Sequence, residues 1–233
     1  RLQWAFTPRA LGKADQIIAI SEFTKQELVR LTDISAADIT VVHQGVDHDR
    51  YTPMETSRCR NYFGLDQDTT YMLVVSSNKA HKQLSQIPAI LDAVRDERDD
   101  VKALKSGYGT ELEGDGIVST GWVDEEDMPK LYNAADVYLH TSEYEGFGLP
   151  ILEAMACGTP IVAKSVASIP EVVDDVFDLS SREASPSELA QDVIERLEST
   201  GKTEIGQAVK RSKHFSWEKT AKETNRVYKT VMN

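Results

Sequence analysis

Between residues 71 and 180 short apolar runs alternate with helical stretches, and no other feature of the chain restricts its fold so far. YMLVVSS (71–77), VKALKSG (101–107), GIVSTGWV (116–123), DVYLHTS (136–142), PIVAKS (160–165) and VFDLS (176–180) read as six strands, VKALKSG as a weaker one. The unbroken apolar run in YMLVVSS fits a strand covered on both faces. LSQIPAILDAVRDE (84–97), EEDMPKLYNA behind Asp124, LPILEAMACG (149–158) and SIPEVVDD (168–175) read as helices. Pro88 and Pro150 lie in first turns, where proline costs least, and Gly158 stops its helix. Strands separated by helices return through crossovers and pair in parallel. The expected fold class is α/β, a doubly wound, Rossmann-like parallel sheet. One join is tight: about ten residues cross between Ser106 and Ile117, near the minimum for parallel neighbours.

The flanks carry fewer elements. Residues 1–13 read as helical and QIIAI (16–20) as a strand; Ser21 caps EFTKQELVRL, ISAAD (34–38) carries a capping pattern, and ITVV (39–42) is a second strand. Residues 47–66 are polar and irregular and read as a linker with a short helix. After residue 180, SPSELAQDVIERLEST (185–200) is a helix capped by Ser185 or Ser187, and two more helical stretches follow, the last from Ser216. At 233 residues the chain has room for one large domain, or one domain and a piece of another. Its opening at Arg1 rather than Met fits a piece of something longer.

The formal net charge of −12 argues against a general nucleic-acid binder, which needs a basic face. It fits either an ordinary acidic protein or one from a salt-rich cytoplasm. Cys59 and Cys157 form no CxxC pair, so neither zinc nor a disulfide framework is expected, and a reducing cytoplasm fits. No run approaches the ~18 apolar residues of a membrane span, and no signal peptide opens the chain. His43, Asp47, His48 and Asp49 crowd together, but crowding alone does not make ligand geometry, and a polar connector is the plainer reading.

EGFGLPILEAMACG (145–158) is the stretch richest in chemistry. Ligands of doubly wound sheets bind beyond the carboxyl ends of strands, and this segment follows such an end. Gly146 and Gly148 let backbone approach a ligand, and the helix start favours an anion. Glu145 before the helix and Glu153 one turn inside it can each accept hydrogen bonds from adjacent hydroxyls. Together they suit a nucleotide sugar: phosphate at the helix start, polyols at the carboxylates. The plainer alternative is that the glycines make a tight turn and the glutamates face water, but so apolar a setting as LPILEAMA around Glu153 speaks against it.

EGFGLPILEAMACGTPIVA followed by SIPEVV resembles the E-x7-E signature of the large retaining glycosyltransferase family with the two-Rossmann GT-B fold (family 4, "glycosyl transferases group 1"). ADQIIAISEFTKQEL, ITVVHQGVD, VSSNKAHKQL, TGWVDEEDMPKLYNAADVYLHTS and HFSWEKTAKETNRVY resemble further segments of that family in the same order, so nearly all of the chain is covered. The resemblance implies that residues 1–45 are the tail end of an N-terminal Rossmann domain, 46–68 a linker, 69–215 the nucleotide-sugar domain, and 216–233 a closing helix that packs back toward the N-terminal part. It implies that Glu153 binds ribose, that Glu145 contacts the donor sugar near the reacting face as a candidate catalytic group, and that the backbone at Gly146, Phe147, Gly148 and Leu149 contacts sugar and diphosphate. Lys82 would neutralise the diphosphate, with Ser77 nearby; Val123 or Trp122 would wall the base, although Trp122 could equally be core.

There are departures from the family pattern. Ser76 and Ser77 stand where glycine and arginine are common, so diphosphate binding would be weaker or His81 would supply charge. The short 107–116 join would alter the base side. The family's N-terminal domain supplies the acceptor site and a catalytic-region histidine, and this chain begins near that domain's end. The implied activity is hexose transfer with retention from a UDP-, GDP- or ADP-sugar, without a metal or other cofactor, to a glycan or lipid-linked acceptor. A non-catalytic nucleotide-sugar-binding module and a nucleotide-sugar epimerase are the alternatives. The expected location is the cytoplasm, with a peripheral position at the inner membrane face compatible but not encoded here.

Overall fold

The structure, a computed structural model, describes residues 11–77, 79–107 and 112–232. The expected helix over 1–13 therefore lies mostly outside the described residues, and so do residues 108–111 of the crossing within 107–116.

Five parallel strands form the main sheet: β3 (Thr70–Val75), β4 (Val101–Ser106), β5 (Ile117–Gly121), β6 (Val137–His140) and β7 (Ile161–Ala163). Their spatial order is β5-β4-β3-β6-β7. The chain thus builds outward from β3 through β4 to β5, then returns to β3's other side for β6 and β7. The neighbouring strands β3 and β6 thus mark the point where the strand order reverses, and at such a switch point the crevice beyond the carboxyl ends is where ligands of these sheets bind.

Strand pleating sends alternate side chains to opposite faces. On one face Tyr71, Leu73, Leu104 and Tyr138 pack against α4 (Met128–Ala134), α5 (Leu149–Cys157) and α6 (Ile169–Val173). On the other, Met72, Val74, Ala103, Val137 and Leu139 pack against α3 (Ile87–Arg95) and α7 (Pro186–Ser199). Helix α5 is apolar nearly all round because it is covered nearly all round: Ile151, Leu152, Ala154, Met155, Ala156 and Cys157 are buried. Its C-terminus turns at Gly158, in the left-handed conformation.

The N-terminal segment contributes β1 (Ile17–Ala19), α1 (Glu22–Leu31) and β2 (Ile39–Val41), with β1 and β2 paired in parallel. Ser21 caps α1 by accepting from the Thr24 N–H. Helix α2 (Thr56–Phe63) lies in the polar stretch that follows. After α8 (Lys202–Ser212), α9 (Trp217–Met232) returns to the N-terminal segment. There the Thr220 hydroxyl donates to the His43 carbonyl at 2.7 Å, and Val46 bridges Ser216.

Three expectations need correction. VFDLS is not a sixth strand: Phe177 plugs into the core, and the segment meets β7's side of the sheet only at an isolated bridge, Lys164 to Ser180. VKALKSG is not a weak strand but a central, six-residue one paired on both sides. The helix expected behind Asp124 begins at Met128; the Asp127 and Met128 N–H groups both donate to the Asp124 carbonyl in a preceding turn. Pro129 then takes the first turn, where its missing N–H is not needed. Of the two serines offered as caps for α7, Ser185 does it, in a reciprocal capping box with Glu188.

Candidate functional site

The crevice at the β3/β6 switch is bridged by side chains from its two banks. Lys82 comes from the loop after β3 and Glu145 from the loop after β6. Lys82 Nζ meets Glu145 Oε1 at 2.5 Å, with side chains only 16% and 12% exposed. The banks are also stitched by backbone: the Thr141 hydroxyl donates to the Lys82 carbonyl at 2.7 Å, and the Glu143 N–H to the His81 carbonyl at 2.9 Å. These contacts fix the loop that carries Lys82, so its charge is held at the sheet's carboxyl edge.

Glu145 has a second neighbour in His140, the last residue of β6. His140 Nε2 stands 3.0 Å from Glu145 Oε1, an ion-pair distance without the alignment of a hydrogen bond. Its Nδ1 meets the Tyr138 hydroxyl at 3.0 Å. Burial pushes the Glu145 carboxyl up, but His140 and Lys82 outweigh it and hold the group down at about 2. Glu145 is therefore a carboxylate, an acceptor of hydroxyl hydrogen bonds, throughout the neutral range.

Glu153 is in a different environment. One turn inside α5, it accepts from the Tyr132 hydroxyl at 2.7 Å. Burial pushes its carboxyl up to about 7, against the pull of the Tyr132 hydroxyl. The two glutamates are thus not a matched pair: one is held ionised by Lys82 and His140, the other sits among tyrosines near its titration point.

Between them is the start of α5. Gly148 takes φ +99, and no side chain caps the helix. The Ile151 N–H donates to the Gly148 carbonyl and Pro150 has none to give, so Leu149 carries the uncapped first-turn donor. Phe147 is buried, its ring against His43 and Phe215. The Gly146 carbonyl is already taken, accepting from the Ser21 hydroxyl at 2.7 Å and the Thr24 hydroxyl at 3.2 Å. Ser168 holds the Glu145 carbonyl at 3.1 Å. The loop is therefore positioned by its own chain from both sides.

Ser77 follows β3 at the crevice edge and is partly buried; Val123 packs against the core from beyond β5. Trp122 is 70% exposed, so its reading as a core residue is wrong: Gly121, at φ +66, turns the chain outward there. Of the crowded group at 43–49, His48 bonds the Phe215 carbonyl and Asp47 caps the Asp49 N–H. Among the described residues no group of three or more His, Cys, Asp or Glu is placed to hold a metal ion.

His140, Tyr132, Thr24, Ser168 and Glu171 escaped sequence reasoning, as did the hold of the helix cap Ser21 on the Gly146 carbonyl. Glu171 accepts from the Glu22 and Phe23 N–H groups at 2.8 and 2.6 Å, tying the start of α1 to α6. No local pattern marks these contacts, which join residues from 21 to 149 positions apart or, at His140, rest on a buried strand end. Only the position of His140 directly before Thr141 and Ser142, at a strand's carboxyl end, offered a hint.

Comparison with known proteins gives the family. A model described as "Glycosyl transferases group 1" matches residues 70–199, and one described as "Glycosyltransferase Family 4" matches residues 1–50. The chain is 32% identical over 244 residues to the O-antigen chain mannosyltransferase B of Escherichia coli, covering 95% of this chain and 62% of that protein. It is 32% identical over 186 residues to a D-inositol 3-phosphate glycosyltransferase of Mycobacterium sp. (strain KMS), covering 72% of this chain and 41% of that one. The chain thus spans under two thirds of the length of these relatives. In fold it matches sucrose-phosphate synthase from Thermosynechococcus elongatus, with a TM-score of 0.86 at 22% identity over 99% of this chain and 62% of the other. It also matches Anabaena Alr3699/HepE, solved in complex with UDP and glucose, with a TM-score of 0.82 at 21% identity over 100% of this chain and 67% of the other. With the model match over residues 70–199 and the mannosyltransferase B likeness along nearly its whole length, the chain belongs to the glycosyl transferases group 1 family and carries the fold of GT-B enzymes.

Proposed function

We propose that this chain is the donor-binding part of a retaining hexosyltransferase, holding a nucleoside-diphosphate sugar in the β3/β6 crevice. The observation that carries the reading is the buried Lys82–Glu145 pair across that crevice, beside the uncapped start of α5. Lys82 and the helix start would take the diphosphate and stabilise the charge that develops on it as the glycosidic bond breaks. In the bound state the sugar hydroxyls would engage Glu145, on the reacting side, and the ribose would engage Glu153. The backbone at Gly146, Phe147, Gly148 and Leu149 would line the path between, with Ser77 on the facing bank and Val123 toward the base. Phosphate binding therefore releases Glu145 from Lys82 for the sugar, which links recognition of the two halves of the donor. No step requires a metal ion.

On this reading residues 1–45 close an N-terminal Rossmann domain, 46–68 link, 69–215 bind the donor, and 216–233 clasp the N-terminal part. The acceptor, a glycan or lipid-linked sugar, would be held by groups beyond this chain, and the chain alone would bind donor without full turnover. Among the described residues no helix is long and apolar enough to cross a membrane; a cytoplasmic location, with peripheral contact at the inner face, suits a lipid-linked acceptor.

Calorimetry with UDP, GDP and ADP tests the reading. One of them should bind, and Lys82→Met should weaken it by about tenfold or more, the loss of one charge-assisted contact. Absence of binding by the unmodified chain at millimolar ligand would refute it. Release of a changed sugar still on its nucleotide would instead identify an epimerase.

A further inference from the structure

Lys105 is the most unusual side chain in the sheet. It sits in central strand β4 and is 1% exposed. Pairing places it opposite Val74 of β3, and its neighbours on that face, Met72, Val74 and Ala103, are apolar and buried against α3 and α7. An apolar residue would complete this layer. A lysine there must be desolvated, which costs several kcal/mol for an unpaired charge. Among the described residues its ammonium has no carboxylate partner: Nζ donates to the Ser76 and Ser106 carbonyls, each at 2.7 Å. Burial alone is the cause that lowers it to about 8. The flanking strands β3 and β5 carry no charged residue, and Lys102 on β4 is exposed. From the loop above α3, the cations are Lys79, exposed, and Lys82, partly buried, with the His81 ring, also partly buried, between them.

The local backbone is built around this ammonium. The β4–β5 ladder slips between Lys105 and Ser106, a bulge of the kind that re-aims a side chain beside a site. Gly107, at φ +118, passes so close to Ser76 that a Cβ there would lie 2.2 Å from the Ser76 carbonyl oxygen. The Ser76 and Ser106 carbonyls are the last acceptors of β3 and β4, so the charge lies at the carboxyl edge of the sheet. It adjoins Ser77 and the root of the loop that carries Lys82.

A nucleoside diphosphate brings two or three negative charges, while a helix start offers only about half a positive one. Lys82, paired with Glu145 until the donor arrives, can add only one positive charge more, which leaves a deficit. We propose that Lys105 is a further donor-binding residue, an embedded cation whose counter-charge is the diphosphate arriving at the Ser76–Ser77 turn. The proposal rests on the donor-site reading above.

Lys105→Met removes the charge at nearly constant shape. For a residue that merely staples two strand ends, the variant should lose melting temperature and leave affinity alone. For an embedded counter-cation, the unliganded variant should melt at the same temperature or higher, because a buried unpaired charge has been removed. Its affinity for whichever of UDP, GDP or ADP binds the unmodified chain should fall about tenfold or more. A second measurement needs no variant. Calorimetry at pH 8.5 in two buffers of different ionisation enthalpy should report net proton uptake on binding, because the arriving anion raises the lysine's proton affinity. Tight binding by Lys105→Met within twofold of the unmodified chain, or no proton uptake, would overturn the proposal while leaving the donor site standing. No nucleotide binding by the unmodified chain would remove both.

Discussion

Identical residues eight positions apart have acquired opposite electrostatics. Glu145 lies between Lys82 and His140, and Glu153 lies under the Tyr132 hydroxyl with no cation at bonding distance among the described residues. For Glu145, held at about 2 against 4.5 in the open chain, the stabilising effect is present above pH 4.5 and is lost as pH falls toward 2. Glu153 behaves in the reverse sense. Its folded value of about 7 exceeds 4.5, so its contribution is complete below pH 4.5 and is lost as pH rises through 7. Glu153→Gln should therefore flatten the pH dependence of unfolding between about 4.5 and 7, an effect of roughly 2–3 kcal/mol at most. Urea titrations at pH 5 and pH 8 check this: unchanged pH dependence in the variant would show that Glu153 is not desolvated as described. On the donor-binding reading, the same variant should also weaken nucleoside diphosphate binding, since an amide accepts poorly from two hydroxyls at once.

Helix α5 joins these residues into a site. Its sequence carries its own limits, Gly148 before and Gly158 after, each in the left-handed region that other residues adopt only with strain. At Gly148 an added Cβ would also meet Ile169 Cδ1 of α6 at 2.9 Å. Gly148→Ala should cost about 1–3 kcal/mol of stability, chiefly from the backbone. On the donor-binding reading it should also weaken nucleotide binding, because the Leu149 N–H would be turned from its line. Thermal melts with and without nucleotide separate the two effects; a variant as stable as the parent would contradict the tight approach of α5 to α6. The helix, its proline and its stop were legible in LPILEAMACG, since capping and turn chemistry are local. The later start of α4, at Met128 instead of residue 125, was not, because charge and period fit either choice and the Asp124 turn decided it.

The chain as a whole is held closed by its ends. Helix α9 meets the N-terminal segment through Thr220 and the His43 carbonyl, and His48 bonds the Phe215 carbonyl. At Gly45 the contact is flush: a Cβ would lie 2.2 Å from Ser216 C and Trp217 N, both backbone atoms that cannot swing aside. Gly45→Ala should therefore destabilise the chain by about 2–4 kcal/mol. It should also raise hydrogen exchange in α9 before the sheet is affected. Exchange that rises equally in β3 and α9 would mean that the two unfold as one unit.

The parallel α/β order, the helix caps, the position of the glycine loop beyond a strand end, and the family itself were all written in local patterns: period, punctuation, and an ordered set of motifs. Those depend on neighbours within a turn or a strand, and a sequence states its neighbours. The tertiary structure alone decided which side of β3 the chain returns to, and with it which loops face one another across the crevice. That choice brought Lys82 to Glu145 over 63 positions and Ser21 to Gly146 over 125. It left VFDLS outside the sheet, turned Trp122 outward, and buried Lys105 beneath a turn that the sequence had marked only by its serines. Burial and charge pairing are set by distance in space, so the same residue type could become a fixed carboxylate at 145 and a half-titrated one at 153.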